Sequence, residues 1–309
     1  MDTRVPLSGN SSGLTRSPAV AGRFYPQDAA VLAKAVRDYL REAEQQPCAC
    51  AQDKILGFML PHAGYVFSGA VAGLTLGQIL KQPVLPEKIV LLGPSHTGQG
   101  APLSVWPHGV WSTPLGELQV DAGFCSELVQ ASQSSGAKFL ADTKGHLGEH
   151  ALEVIAPFLQ ALDPRIKIIP VTVRNYNLQQ LQEAGGLLAG IIERGTRKGE
   201  KICMIASSDM NHFLPHEENM KIDELALEPL KNLDPVNLFR TVAVNKISMC
   251  GFAAVTLMLF AAKALEADKC CITAHTSSGL TGKAFGADMH RVVGYAGAVI
   301  AAGGAKSAG

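Results

Sequence analysis

The chain has 309 residues, 47% of them apolar and 17% charged, and its 27 Lys+Arg balance 27 Asp+Glu to a formal charge of zero. That length fits one large α/β unit or two modest ones, and the apolar fraction excludes disorder across the whole chain. A neutral chain exerts no global pull on nucleic acid or acidic membranes, and no apolar run approaches the roughly 18–20 residues of a membrane-crossing helix.

Residues 1–19 read as a polar, flexible arm without the apolar stretch of a secretion signal. Residues 28–46 carry Val31, Leu32, Ala35, Val36, Tyr39 and Leu40 at helical spacing, with Asp28 as N-cap. The run KILGFML (54–60) stops at Pro61 and reads as a buried strand, followed by a small-residue helix over 69–80. KIVLLG (88–93) is a second strand, and a loop-rich stretch with Pro102, Pro107 and Pro114 follows. Helices are expected at 121–133, 150–161, 177–194, 217–231, 235–244 and 251–267, and strands at 166–173, 201–207, 270–276 and 291–300. Residues 301–309 form a flexible tail by composition. Apolar strands alternating with helices define an α/β sandwich with a central, largely parallel or mixed sheet, and residues 20–300 read as a single domain. Seven cysteines in no regular framework are expected to be reduced thiols, which places the chain in the cytoplasm.

In open α/β sheets, ligands bind beyond the carboxyl ends of the strands. Three predicted strands end in chemically capable residues: His62, His96, and the pair Asp209 and His212. Cys250 stands directly before an apolar helix. A lone histidine at a strand end is more often structural than a ligand, but four such fragments at one sheet edge reverse that weighting. Two neutral imidazoles and a thiolate suit Fe(II), Zn(II) or copper, and a helix N-terminus is expected to lower the Cys250 pKa. His212, beside Asp209, fits either a further ligand or an acid–base group.

His146, Glu149 and His150 match H-x-x-E-H, whose zinc chemistry needs both histidines on one helical face. Gly145 and Gly148 argue instead for a loop that enters a helix at Glu149-His150. No G-x-G-x-x-G or P-loop follows a strand, and Ser207-Ser208-Asp209 lacks the hydrolase elbow. Cys48 and Cys50 read as a surface pair of thiols. Adjacent strand residues Cys270 and Cys271 face opposite sides and are not expected to chelate jointly. Trp106 and Trp111 fit a substrate wall or buried loop packing.

AGRFYP (21–26), PHAGYVFSG (61–69), LLGPSH (91–96), GEHALEVIAPF (148–158), IIPVTV (168–173), SSDMNHF (207–213) and CG (250–251) occur together in this order. In these pieces the chain resembles the Memo family, whose prokaryotic members are called AmmeMemoRadiSam system protein B. The resemblance covers nearly all of residues 20–300. It implies the fold of class III extradiol dioxygenases, which hold Fe(II) with two histidines and a carboxylate. It further implies a metal set of His62, His96 and Cys250, with His212 close by and Asp209, Glu149 and His150 as further polar positions. Cysteine in place of the dioxygenase glutamate shifts preference toward copper, zinc or a different iron reactivity, so dioxygenase activity does not follow from the fold.

Three functions therefore stand in order. The first is a metal-dependent oxidoreductase with Fe(II) or copper acting on a small substrate, with His212 or His150 moving protons. The second is a non-catalytic cleft that binds a peptide or partner protein, with AMME-domain and radical-SAM proteins as partners by the system name. The third is a zinc hydrolase. Nucleic acid and membranes are not expected partners.

Overall fold

The protein, a computed structural model, is described over residues 13–46, 48, 50, 53–174 and 176–303. The first twelve residues of the expected arm and residues 304–309 of the expected tail lie outside the described residues. The elements in chain order are β1 (Thr15–Arg16), α1 (Ala29–Gln45), β2 (Lys54–Leu60), α2 (Tyr65–Leu76), β3 (Lys88–Pro94), β4 (Leu103–Val105) and β5 (Val110–Thr113). Next come β6 (Gly116–Gln119), α3 (Ala122–Ala131), β7 (Phe139–Ala141), α4 (Ala156–Leu162), β8 (Lys167–Val173), α5 (Leu178–Arg197) and β9 (Ile202–Ser207). The chain closes with β10 (His212–Leu214), α6 (His216–Lys231), α7 (Pro235–Val244), α8 (Phe252–Ala264), β11 (Lys269–Ser277), α9 (Ser278–Thr281) and β12 (Val292–Ala302).

The strands β2, β9, β3 and β8 lie side by side in parallel at the middle of a nine-stranded sheet. Every residue of these four after the first is buried, which is why each reads as a continuous apolar run rather than an alternating one. Five strands complete the sheet: β12 antiparallel to β2, β11 and β10 antiparallel to β12, β4 antiparallel to β8, and β7 parallel to β4. The sheet is mixed and flanked by helices, as expected. Helix α8, apolar all round, lies across β2, β9 and β3 beneath α5, while α1 and α2 pack together beside β2 and β12. A glycine stripe on α2 permits that pairing. A Cβ on Gly73 would stand 2.3 Å from Tyr39 Cβ, and one on Gly69 would stand 2.7 Å from the Tyr39 ring.

Several expectations change. Helix α2 starts at Tyr65, four residues before the predicted 69, and runs on into a short 3-10 turn over Gly77–Lys81. The stretch expected as loop contains β4 and the β5–β6 hairpin, and β7 and β10 were also unanticipated. These strands have three or four residues each, and pairing with a neighbour, not a local pattern, makes them strands. The helix expected over 150–161 begins only after a turn in which Gly148 takes φ +74°, passing through a 3-10 segment at Glu153–Ile155 into α4.

The expected arm is anchored where it is described. Strand β1 pairs in parallel with β5. Arg16 is 1% exposed and forms a 2.8 Å ion pair with buried Glu153. Glu153 also accepts from the backbone N–H groups of Ala19 and Val20 and from the Tyr25 hydroxyl. The Arg16 guanidinium lies 4.4 Å over the Trp111 ring and donates to the carbonyls of His146 and Glu149. Trp106 and Trp111 are both buried and pack on His146, so they are loop packing rather than a substrate wall.

Candidate metal centre

Three parallel strands deliver the site. Beyond β2 lies His62, beyond β3 His96, and beyond β9 Asp209, all at the carboxyl edge of the sheet. The turn at residues 146–152 brings Glu149 and His150 over the same edge. The imidazoles of His62, His96 and His150 converge, each offering a nitrogen, with all three donor atoms within 4.8 Å of one another. Ring centroids stand 5.2 Å apart for His62 and His96, and 4.7 Å for the stacked pair His96 and His150.

The hydrogen bonds fix two of the tautomers. The Ser207 hydroxyl donates its one proton to the Ala151 carbonyl (2.8 Å). His62 Nδ1, 2.7 Å from the same hydroxyl oxygen, must therefore be the donor in that contact. Its Nε2 is left as a lone pair, 3.2 Å from Cys250 Sγ. For His96, Nδ1 lies 2.9 Å from Glu149 Oε1. Glu149 is an ionised acceptor, so His96 Nδ1 carries the proton and Nε2 is again the open nitrogen. Burial would raise the Glu149 pKa, but the hydrogen bond and charge of His96 and the Ala151 N–H bring it down to about 2. Burial would lower His96, yet Glu149 more than offsets this and holds it above the ordinary value. Glu149 also accepts from the backbone N–H groups of His96, His150 and Ala151. One carboxylate thus sets two of the three histidine-bearing segments.

His62 is fully buried, and desolvation followed by repulsion from His96 and His150 depresses its pKa well below the ordinary value. His150 is lowered by burial against the attraction of Glu149. Neutral imidazoles are the form a metal takes. The edge of His150 rests against Phe24, with ring centroids 4.7 Å apart.

Cys250 touches this group from the side of Asp209. Its Sγ lies 3.2 Å from His62 Nε2 and 3.3 Å from the Asp209 backbone N, which donates to it. The expected lowering of its pKa by the helix N-terminus is overturned. Burial, then the nearby Asp209 carboxylate, pushes the thiol upward, so Cys250 is neutral in the metal-free protein. Asp209 accepts from the His62 backbone N–H at 2.8 Å, and burial raises its own pKa. His212 lies on β10, outside the tight group. Its backbone N–H donates to Ser248 Oγ, while its buried Nδ1 has no hydrogen-bond partner.

The structure thus brings His150, expected from the sequence as a proton carrier, in among the imidazoles. His146 is elsewhere: fully buried, with Nε2 3.0 Å from the Ser104 carbonyl oxygen and its pKa forced down to about 3 by burial and Arg16. The two histidines of H-x-x-E-H do not share a helical face, because the turn at Gly148 separates them. Ser207 and Phe24 went unrecognised as site residues. In the sequence Ser207 reads only as a residue of a segment that lacks the hydrolase elbow, and Phe24 carries no signal beyond lying in AGRFYP.

The α/β sheet carries at its carboxyl edge three imidazoles that could together hold a metal ion. The family described as Memo-like protein matches residues 16–299. A MEMO1 family protein of Methanobrevibacter smithii is 34% identical over 290 residues, covering 92% of this chain and 98% of that protein. Those of Sulfurisphaera tokodaii and Ignicoccus hospitalis are 36% and 37% identical, covering 91% and 92% of this chain and 98% and 97% of those proteins. The chain belongs to the Memo-like family. Among the described residues no helix is long and apolar enough to cross a membrane.

Proposed function

We propose that this protein holds one redox-active metal ion, iron or copper, at the cluster of His62, His96 and His150, with Cys250 in reach as a thiol ligand, and serves metal-dependent oxidation–reduction of a small substrate. The observation that supports this most is the tautomer setting. Two of three converging imidazoles have Nδ1 committed to Ser207 and Glu149, which leaves Nε2 of each as the lone-pair nitrogen. The donor set of borderline nitrogens and one soft sulfur fits iron, copper or zinc.

When bound, the metal supplies Lewis-acid and electron-transfer chemistry. The chain's own residues do the rest. Glu149 and Ser207 hold rings in place, and Phe24 closes one side of His150. Asp209 braces the His62 backbone, and the unpartnered Nδ1 of His212 is suited to give or take a proton.

The test is elemental analysis of anaerobically purified wild type beside His62→Ala, His150→Ala and Cys250→Ala, with iron and copper add-back. Near-stoichiometric iron or copper in the wild type, lost in His62→Ala, is the expected result. Retention in Cys250→Ala with loss in His150→Ala would assign the third ligand to His150. No metal, and none acquired on add-back, would overturn the reading and leave the cleft as a recognition surface. Zinc alone, with ester or amide hydrolysis, would favour the hydrolase.

A further inference from the structure

Two short segments run side by side next to the imidazoles: residues 208–211, which follow β9, and residues 248–251, which precede α8. Side chains fasten them in register. Ser248 lies against Asn211, and its backbone N–H and its hydroxyl both donate to Asn211 Oδ1 at 3.0 Å. Cys250 lies against Asp209, whose backbone N–H reaches Sγ at 3.3 Å. Gly251 lies against Ser208, its N–H donating to Oγ at 2.9 Å. A Cβ on Gly251 would collide with the Ser207 carbonyl oxygen, so glycine lets the segments come this close. The alignment is antiparallel, with position 250 opposite position 209, and it leaves Cys250 Sγ 3.2 Å from His62 Nε2.

Asn211 has its place fixed from outside the site. It is 4% exposed. Its N–H donates to Asp223 Oδ1 at 2.8 Å, and its Nδ2 donates to Asn219 Oδ1 at 2.8 Å. Its carbonyl accepts from the Gly294 N–H at 2.9 Å and from Asn219 Nδ2 at 3.1 Å. With Oδ1 facing two donors and Nδ2 facing an acceptor, the amide has one satisfied orientation. Asn219 and Asp223 are fully buried one turn apart on α6, and His275 Nε2 on β11 lies 3.1 Å from Asp223 Oδ2. A Cβ on Gly294 would collide with the same carboxylate, so β12 and α6 meet here only around a glycine. The Ser248 hydroxyl also accepts the His212 N–H at 2.8 Å, which ties His212 to the same amide.

We propose that Asn211 is a positioning residue of the metal site proposed above: its amide sets the register of the two segments and so brings the Cys250 sulfur to an ion held by His62, His96 and His150. The tolerance is small. A metal–sulfur bond is about 2.3 Å long and admits deviations of roughly 0.2 Å, whereas one residue of extended chain spans about 3.3 Å. A slip of one position therefore takes the sulfur out of reach while leaving the three imidazoles where they are.

The experiment loads wild type, Asn211→Ala and Ser248→Ala with Co(II) anaerobically, counts bound cobalt, and records the sulfur-to-cobalt charge-transfer band. The expected result is one cobalt per chain throughout, with the band present in wild type, lost in Asn211→Ala and weakened in Ser248→Ala, which keeps the backbone N–H bond to Asn211. A role in folding alone would lower stability and leave the band of the folded variants at wild-type strength, and that result would overturn the proposal. Circular dichroism checks folding. Should Asn211→Ala not fold, Ser248→Ala decides by the same criterion, because Ser248 is exposed and its loss spares the core. Cobalt bound by wild type without the band would also overturn the proposal while leaving the imidazole site standing. No cobalt in any of the three proteins would remove the metal reading itself and this proposal with it.

Discussion

Glu149→Gln isolates what one carboxylate does for the site. Glu149 is 2% exposed and accepts from three backbone N–H groups and from His96 Nδ1. A glutamine has the same shape but turns one acceptor into a donor, facing N–H groups that then have no partner. The pKa gives an independent magnitude. A carboxyl lowered from 4.5 to about 2 contributes roughly 3 kcal/mol to stability, at about 1.4 kcal/mol per pH unit. The opposite shift of His96 reports the same contact and is not added. Because the folded-state pKa is depressed, this contribution is complete above the unfolded value of 4.5 and is lost as pH falls toward about 2. The variant should therefore be destabilised by roughly 3 kcal/mol at pH 7, with the gap closing between pH 5 and pH 2 as the wild type loses what the variant never had. Urea unfolding of the metal-free proteins across that range measures it. A gap that stays constant with pH would refute the argument, since the loss would then be one of packing and not of charge.

Ser207→Ala removes the hydroxyl that fixes the His62 tautomer. Metal affinity should fall by roughly 10–100-fold in a competition titration while the circular dichroism spectrum is unchanged. Arg16→Met strands the buried Glu153 carboxylate and should cost about 3–5 kcal/mol in urea unfolding; a neutral result would mean that the described part of the arm contributes nothing to the fold. Gly73→Ala forces α1 away from α2, because its Cβ would meet Tyr39 at 2.3 Å, and should lower stability by about 1–3 kcal/mol in the same assay.

The sequence by itself determined the central strands and most helices, because burial on both faces writes continuous apolar runs into β2, β3, β8 and β9 and a helical period into α1 and α5. It also determined that histidines and an aspartate would stand at strand ends, since a strand that stops at Pro61 or Pro94 must deliver the next residue to the sheet edge. Only the tertiary structure decided which of these side chains meet. His146 and His150 are four residues apart, yet Gly148 in the left-handed region sends one into the Trp106/Trp111 packing and the other over the sheet edge. No local spacing encodes that turn's direction. Arg16 and Glu153 are separated by more than 130 residues and meet through strand pairing and buried ion-pair geometry. Such contacts depend on the register of the whole sheet, which a window of neighbouring residues does not contain.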